Sequence, residues 1–511
     1  MIKKSNFQKY SFSNNDNFKS RRVKLLISGI LLFSAFSIIS YRTISLASVE
    51  NRKTMNISFK DVNSKNLAST IRGNIFDRNK NLLATTVNIS SLNINPQEVL
   101  DINETILKLI KVFPNLNKNE LSQKLSSEKK HVNLLREISP KDHVSLLRLG
   151  IEALKIENDN KRIYPNHSLA SHVLGSTDID GEGIAGVEKT FNKQLKNGED
   201  ISITIHNGIQ HITKTLLLEQ ITKFKAEGGA GIIMNAKNGE IYALVSLPDY
   251  NANNYSKILD NKLFNKATKG TYELGSTLKL ITAAVALESE LINENEVFDV
   301  SSPLRVSSKT ISDYHPLNYS INIPEVIVHS SNIGSAKIAE KFGPSTQLKY
   351  LKSLGLMDRL TLELPELGKP QVLTDKKLLT TMTISYGHGI SITPTHLASA
   401  TATIVNDGIK VNPTLLTSKS SKINNRIFSN KTSETMRSIM RLVVSNKNGT
   451  AKKAEAPGYL VGGKTGTAEK VNPAGGYYKK KNIVALTSAF PMNDPQFIIT
   501  IMIDNPKGKR R

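Results

Sequence analysis

The alternation of apolar and polar positions divides the chain into three regimes. Residues 25–41, LLISGILLFSAFSIISY, are apolar without a single charge, with RRVK before them and Arg42 after. A run of that length is at the lower end of what spans a bilayer, and flanking Lys and Arg extend it by reaching toward the headgroups. The pattern predicts a transmembrane helix. A cleaved signal peptide is the competing reading, but no small-residue cleavage pattern follows Tyr41. No later run is long and apolar enough to span.

Residues 43–215 form the second regime, a patchwork of short strand patterns such as SSLNIN and helical ones such as ETILKLIKVF and KDHVSLLRLG. From about residue 226 the pattern becomes regular. GGAGIIMNAKNGEIYALVSLP reads as two strands around Asn238-Gly239, the strongest short-range hairpin signal. Helical periodicity follows at 276–290, 323–342 and 394–407. Strand patterns then return in GYLVGGKTGTAEKV, NIVALTSAFP and QFIITIMIDNP. Strands at both ends with helices between them predict an α/β layer domain whose antiparallel sheet joins its first and last strands. The expected organisation is a basic tail (1–24), the spanning helix (25–41), a mixed α/β domain (42–215) and the layered domain (216–511).

Composition narrows the chemistry. The 511 residues include no Cys, which excludes a disulfide scaffold, a thiolate nucleophile and a Cys-ligated metal. Net charge is +24, but residues 1–24 alone carry seven Lys/Arg against Asp16, leaving +18 spread over the rest. That dispersion fits solvated faces, not a nucleic-acid patch. The basic tail places the N-terminus in the cytoplasm by the positive-inside rule, and residues 43–511 outside it.

Three short motifs carry candidate chemistry. In YELGSTLK, Ser276 and Lys279 are one turn apart at a helix start, where hydroxyl and amine share a face and the helix dipole disfavours an ammonium. Burial would lower the amine pKa further, as a general base requires. Taken alone the pair also reads as an N-cap with a solvated lysine, and Ser-x-x-Lys recurs without catalytic context in SSEKK. In VHSSNIGS, Ser330 and Asn332 sit at a loop-to-helix junction, placed to relay a proton and to orient an amide, or simply to cap. In GGKTGTAEK, alternation points Lys464 and Gly466 one way and Thr465 and Thr467 the other. There a glycine lets a substrate backbone lie close to an edge strand, and Lys with Thr hydroxyls binds a carboxylate.

Ser-x-x-Lys, then Ser-x-Asn, then Lys-Thr-Gly, in that order and on those elements, resembles the signature set of penicillin-binding proteins and serine β-lactamases. The resemblance extends along nearly the whole chain. IRGNIFDRNKNLLA, KRIYPNHSLASHVLG and GEGIAGVEKTFN are similar to the pedestal of class B penicillin-binding proteins, with Lys80 where the family usually has glycine. NKATKGTYELGSTLK is similar to the run into the nucleophile, with Leu274 in place of the usual proline. SYGHGISITPTHLASATATIVNDG and the KTGTA block resemble the division-specific D,D-transpeptidases more than their elongation-specific relatives.

The resemblance implies an α+β multidomain protein: a transmembrane helix, a dimerisation-type pedestal, and a penicillin-binding domain of serine β-lactamase-like fold. It implies Ser276 as nucleophile, Lys279 as its base, Ser330 as proton relay and Asn332 as holder of the acyl amide. Lys464, Thr465, Gly466 and Thr467 then form the carboxylate-binding strand, with the Ser276 and Thr467 N–H groups as oxyanion hole. Gly387 and Gly389 shape the cleft wall, and Asp77 and Arg78 belong to the pedestal's structure. Implied partners are peptidoglycan stem peptides, β-lactams as covalent inhibitors, a septal glycosyltransferase of the SEDS type and other division proteins, with no cofactor. The implied location is the bacterial inner membrane, catalytic domain in the periplasm. The alternatives are a truncated or inactive relative serving as a membrane-anchored division scaffold, an elongation-specific class B transpeptidase, and a β-lactam sensor or hydrolase. The family continues past a terminus such as DNPKGKRR with a further strand and a helix. Without that cover the IITIMI face would lie exposed, so the expectation is either a C-terminal truncation or another element that fills the gap.

Overall fold

The computed structural model describes residues 23, 26–43, 71–293, 295–417 and 425–508. The tail 1–24 apart from Val23, and residues 44–70 of the expected 42–215 domain, lie outside the described residues. Leu26–Thr43 is an 18-residue helix of mean hydropathy 1.5 with no buried face. Among the described residues it is the one helix long and apolar enough to cross a membrane. The chain from Ile71 onward is a separate unit.

The first half of that unit is built on one long strand. β1 (Ile75–Phe76) turns back into β2 (Leu82–Ile94), which pairs antiparallel with β3 (Val132–Arg136) and, over its last ten residues, with β4 (Leu154–Ile163). Between them α1 (Ile102–Val112), α2 (Lys118–Leu125) and α3 (Pro140–Leu147) start where the sequence supplies caps: Asp101, Asn117, and Ser139 followed by Pro140. Their apolar faces, including Ile106, Leu109, Leu121 and Leu146, close over Leu92, Ile94 and Leu134. β5 (Ile201–Ser202) pairs parallel with β1 and hands the chain to the second half. Asp77 and Arg78 tie the halves together. The Asp77 carboxylate accepts from Asn207 N at 3.2 Å, and the Arg78 guanidinium stacks 4.0 Å over the Tyr242 ring.

In the second half α4 (Asn207–Lys223) precedes β6 (Gly228–Asn235) and β7 (Ile241–Leu247), the hairpin expected around Asn238-Gly239. The helices α5 (Lys279–Glu288), α6 (Ile323–His329), α7 (Asn332–Ser353), α8 (Leu378–Ser385), α9 (Pro394–Val405) and α10 (Asn430–Ser445) follow. The chain then returns as β8 (Gly462–Val471), β9 (Tyr477–Phe490) and β10 (Phe497–Asp504). The sheet order is β8-β9-β10-β6-β7, antiparallel throughout, so the last strand joins the first hairpin and β8 is an edge. Helices α4, α8 and α10 come without a sequence expectation. α9 is buried at every residue, and its small side chains bring it close enough for Thr401 Oγ1 to meet Thr487 Oγ1 at 2.9 Å.

The IITIMI face is less bare than expected. Ile498 and Met502 are fully buried inward, while Ile501 and Ile503 are half-buried beside Leu217 and Ile221 of α4 and Val245 and Leu247 of β7. Strand β10 lies mid-sheet, and α4 covers part of its outer face; none of residues 498–503 is exposed.

Candidate active site

Ser276 stands on a single 3-10 turn, Gly275–Leu278, that feeds into α5. Gly275 has φ 56°, and a Cβ there would lie 2.6 Å from the Thr467 carbonyl oxygen and 3.1 Å from its N. From β8, a Cβ on Gly466 would lie 2.1 Å from the Leu274 carbonyl oxygen. From the YGHG loop, a Cβ on Gly387 would lie 2.1 Å from the Gly275 carbonyl oxygen. Three glycines on three segments therefore let two backbones press against the turn that carries the serine. Gly466 admits the Ser276 turn to the strand, a contact that the expectation of a substrate backbone along the edge did not foresee.

Lys279, the first residue of α5, is fully buried. The helix is buried from Lys279 through Ala286, so the amine sits at the end of the domain's central helix. Its Nζ lies 2.6 Å from the Ser330 carbonyl oxygen, 2.8 Å from Asn332 Oδ1 and 3.2 Å from Ser330 Oγ. The single helix expected over 323–342 is broken to make this possible. Ser330 ends α6 in the left-handed region at φ 62°, and Ser331 starts α7 by accepting from Gly334 N at 2.9 Å. A non-glycine residue held left-handed is a strained position of the kind that gathers at functional sites. Here it turns both the carbonyl and the hydroxyl of Ser330 onto one amine.

Lys464 approaches the same hydroxyl from β8. It is fully buried, donating to Ser330 Oγ at 3.0 Å, the Thr465 carbonyl at 3.0 Å and Thr450 Oγ1 at 3.4 Å. The expected alternation holds: Lys464 and Gly466 are buried, Thr465 is half-buried and Thr467 exposed.

Two ammonium groups cannot share one hydroxyl in a dry site. Burial pushes the Lys279 amine well below the ordinary lysine range; the charge of Lys464 pushes it further, and Asp313 opposes both. Burial lowers Lys464 to about 7. Both shifts oppose a doubly charged pair and favour a neutral Lys279. A neutral amine has two N–H donors, which the Ser330 carbonyl and Asn332 Oδ1 take, and one lone pair, toward which the Ser330 hydroxyl at 3.2 Å can donate. None of these bonds reaches Ser276, whose half-buried hydroxyl is one turn away. The Ser276–Lys279 contact foreseen from their spacing is therefore not made in this resting arrangement, and catalytic hydrogen bonds are often long before substrate binds.

Two carboxylates at the site have no counterpart in the sequence motifs. Glu273, three residues before Ser276, is buried and accepts from Gly389 N at 2.8 Å, Tyr477 OH at 3.0 Å and His388 Nδ1 at 3.1 Å. It fastens the YGHG loop and the start of β9 to the serine turn. Asp313 accepts from Ser331 Oγ at 2.6 Å, from Ile333 N at 3.0 Å and from Asn332 N. A charge inside YELGS next to an apolar run was a usable signal for Glu273; SDYHP offers none for Asp313.

Comparison with known proteins agrees with this geometry. Residues 229–511 match the penicillin binding protein transpeptidase domain, and residues 68–219 match the penicillin-binding protein dimerisation domain. The chain is 32% identical over 453 residues to the probable peptidoglycan D,D-transpeptidase FtsI of Caulobacter vibrioides, covering 86% of this chain and 76% of the relative. It is 28% identical over 533 residues to peptidoglycan D,D-transpeptidase FtsI of Escherichia coli, covering 96% and 88%. Penicillin binding protein 3 of Mycobacterium tuberculosis, solved with aztreonam, has the same fold at TM-score 0.69 and 23% identity, covering 86% and 90%. The chain belongs to the class B penicillin-binding proteins, of the FtsI type.

Proposed function

We propose that the chain is a peptidoglycan D,D-transpeptidase that cross-links stem peptides at the division septum. The observation that carries this reading is the convergence of two buried lysines on the Ser330 hydroxyl beside the Ser276 turn. In the first step Ser276 Oγ attacks the carbonyl of the penultimate D-Ala, and its proton passes to the free amine of Lys279. The oxyanion is received by the N–H groups of Ser276 and Thr467, whose segments the Gly275 contact brings together. Collapse breaks the peptide bond, and the proton taken up by Lys279 passes through the Ser330 hydroxyl to the departing D-Ala amine, leaving Lys279 neutral again. In the second step an amine of a neighbouring stem attacks the ester carbonyl, and Ser276 recovers its proton. Lys464, Thr465 and Thr467 hold the terminal carboxylate of the donor, which the carboxylate of a β-lactam imitates; Asn332 orients the acyl amide.

The helix Leu26–Thr43 anchors the chain once in the inner membrane, with the basic tail in the cytoplasm and the catalytic domain in the periplasm. A SEDS-type glycosyltransferase supplying nascent strands is the expected partner. Covalent labelling of the full chain by a fluorescent penicillin, lost in Ser276→Ala, tests the chemistry. A well-folded native chain that takes no label overturns it. Depletion in cells tests the septal assignment: filaments support it, and round cells reassign the enzyme to elongation.

A further inference from the structure

The amide of Asn332 faces Lys279 with its oxygen, and the reason lies outside the three motifs. Asn332 Nδ2 donates to the Ser312 carbonyl at 3.0 Å, and Asn332 N donates to the Asp313 carboxylate. The neighbouring pair Ser312–Asp313 thus holds Asn332 by side chain and main chain together. With Nδ2 engaged, Oδ1 is the end of the amide left for the lysine, and it lies 2.8 Å from Nζ. Asp313 also receives the Ser331 hydroxyl at 2.6 Å and Ile333 N at 3.0 Å. Its carboxylate therefore fixes three consecutive residues following Ser330. Asp313 takes the N–H groups of the first two residues of α7, and Ser331 Oγ takes that of the third, Gly334, so the carboxylate caps the helix and holds the turn at once.

On the reading that Ser276 is acylated with Lys279 as base, we propose that Asp313 is a positioning residue for acylation. It locks the Ser330–Asn332 turn so that the two N–H donors of Lys279 are held by fixed acceptors. It is also the negative charge that balances Lys464. The charged groups that bear on Lys279 are Lys464 on β8 and Asp313; Ser330, Ser331 and Asn332 are uncharged. Removing the carboxylate charge leaves Lys464 unopposed, so the Lys279 ammonium loses its proton at lower pH.

The test is the pH profile of penicillin acylation at saturating drug, measured on the full chain in detergent for the native protein, Asp313→Asn and Asp313→Glu, with melting temperatures alongside. Asp313→Asn is expected to stay folded and to lose roughly tenfold or more in the saturating rate, since small misplacements of a catalytic group cost that much. Its apparent drug affinity should change by less than about twofold, as for an interaction made in the transition state. The acid limb of its profile should move to lower pH, and Asp313→Glu, which keeps the charge, should return that limb toward the native position. A folded Asp313→Asn chain with native rate and native limb overturns the proposal. So does an equal loss at every pH that Asp313→Glu fails to distinguish, or unfolding of both variants, since either makes Asp313 a structural cap alone. A native chain that takes no label removes the underlying acylation reading, a different result from native labelling that Asp313→Asn leaves intact.

Discussion

Two fully buried lysines at one hydroxyl are an expensive arrangement, and each is there at the cost of stability. For Lys464 the folded value of about 7 lies below the ordinary lysine value of 10.5. Between those values the unfolded chain holds a proton that the folded chain has shed, so stability rises with pH across the window. Below about pH 7 the burden is on the order of 5 kcal/mol, since each unit is about 1.4 kcal/mol. Lys464→Met is accordingly expected to abolish penicillin acylation while raising the melting temperature at pH 6, with the gain shrinking as pH approaches the ordinary lysine range. A melting temperature that falls at pH 6 would contradict this account. The same titration sets the alkaline side of activity. As pH rises through about 7, Lys464 loses the charge that holds the substrate carboxylate, so acylation per unit drug concentration should decline in the free enzyme. Rates measured across that range on the native chain check the sign.

At the scale of elements, the site is made by close approach of backbones. The 3-10 turn, the edge strand β8 and the YGHG loop touch where Gly275, Gly466 and Gly387 lack side chains. Gly387 also sits at φ 95°, so an added Cβ is strained as well as blocked. Gly466→Ala is expected to lower acylation by roughly a hundredfold, because the methyl must displace the Leu274 carbonyl and with it the serine turn. A labelling rate within about threefold of native would show that the turn and strand can part without consequence. The glycines were visible in the sequence, and so were the strands and three helical stretches, but α4, α8 and α10 were not. Periodicity over 323–342 is helical on both sides of Ser330, and the reversal there is decided by what the Ser330 carbonyl meets, not by its neighbours in sequence. The element-level reading was strongest for the β6–β7 hairpin and the three late strands, whose turn residues and alternation are local properties.

Across the whole molecule, the pedestal and the anchor make separable contributions. Glu188 is completely buried between Arg72 at 2.6 Å and Arg162 at 2.7 Å, with Tyr164 OH at 3.3 Å. Glu188→Ala leaves two guanidinium groups buried without their carboxylate, a loss of about 3–5 kcal/mol. The expected outcome is a lower melting temperature with an unchanged acylation rate per folded molecule. A slowed rate in the folded fraction would mean that the pedestal acts on the site. Removing residues 1–43 is expected to release the protein from the membrane fraction and leave penicillin labelling intact; retention in that fraction would point to a second attachment.

By itself the sequence determined what depends on near neighbours: the apolar N-terminal helix, the strand–hairpin pattern, and three short motifs whose order singled out Ser276, Lys279, Ser330, Asn332 and Lys464. Tertiary structure decided what depends on distant ones. Lys464 meets Ser330 across 134 residues, Glu273 meets Gly389 across 116, and Asp313 meets Asn332 across 19. No periodicity encodes such pairings, because they follow from which faces the core brings together. Hydrogen-bond direction is likewise a property of the assembled site. In YELGSTLK, Ser276 and Lys279 are the nearest partners on paper, yet in the folded chain the amine is held by Ser330 and Asn332, 51 and 53 residues away.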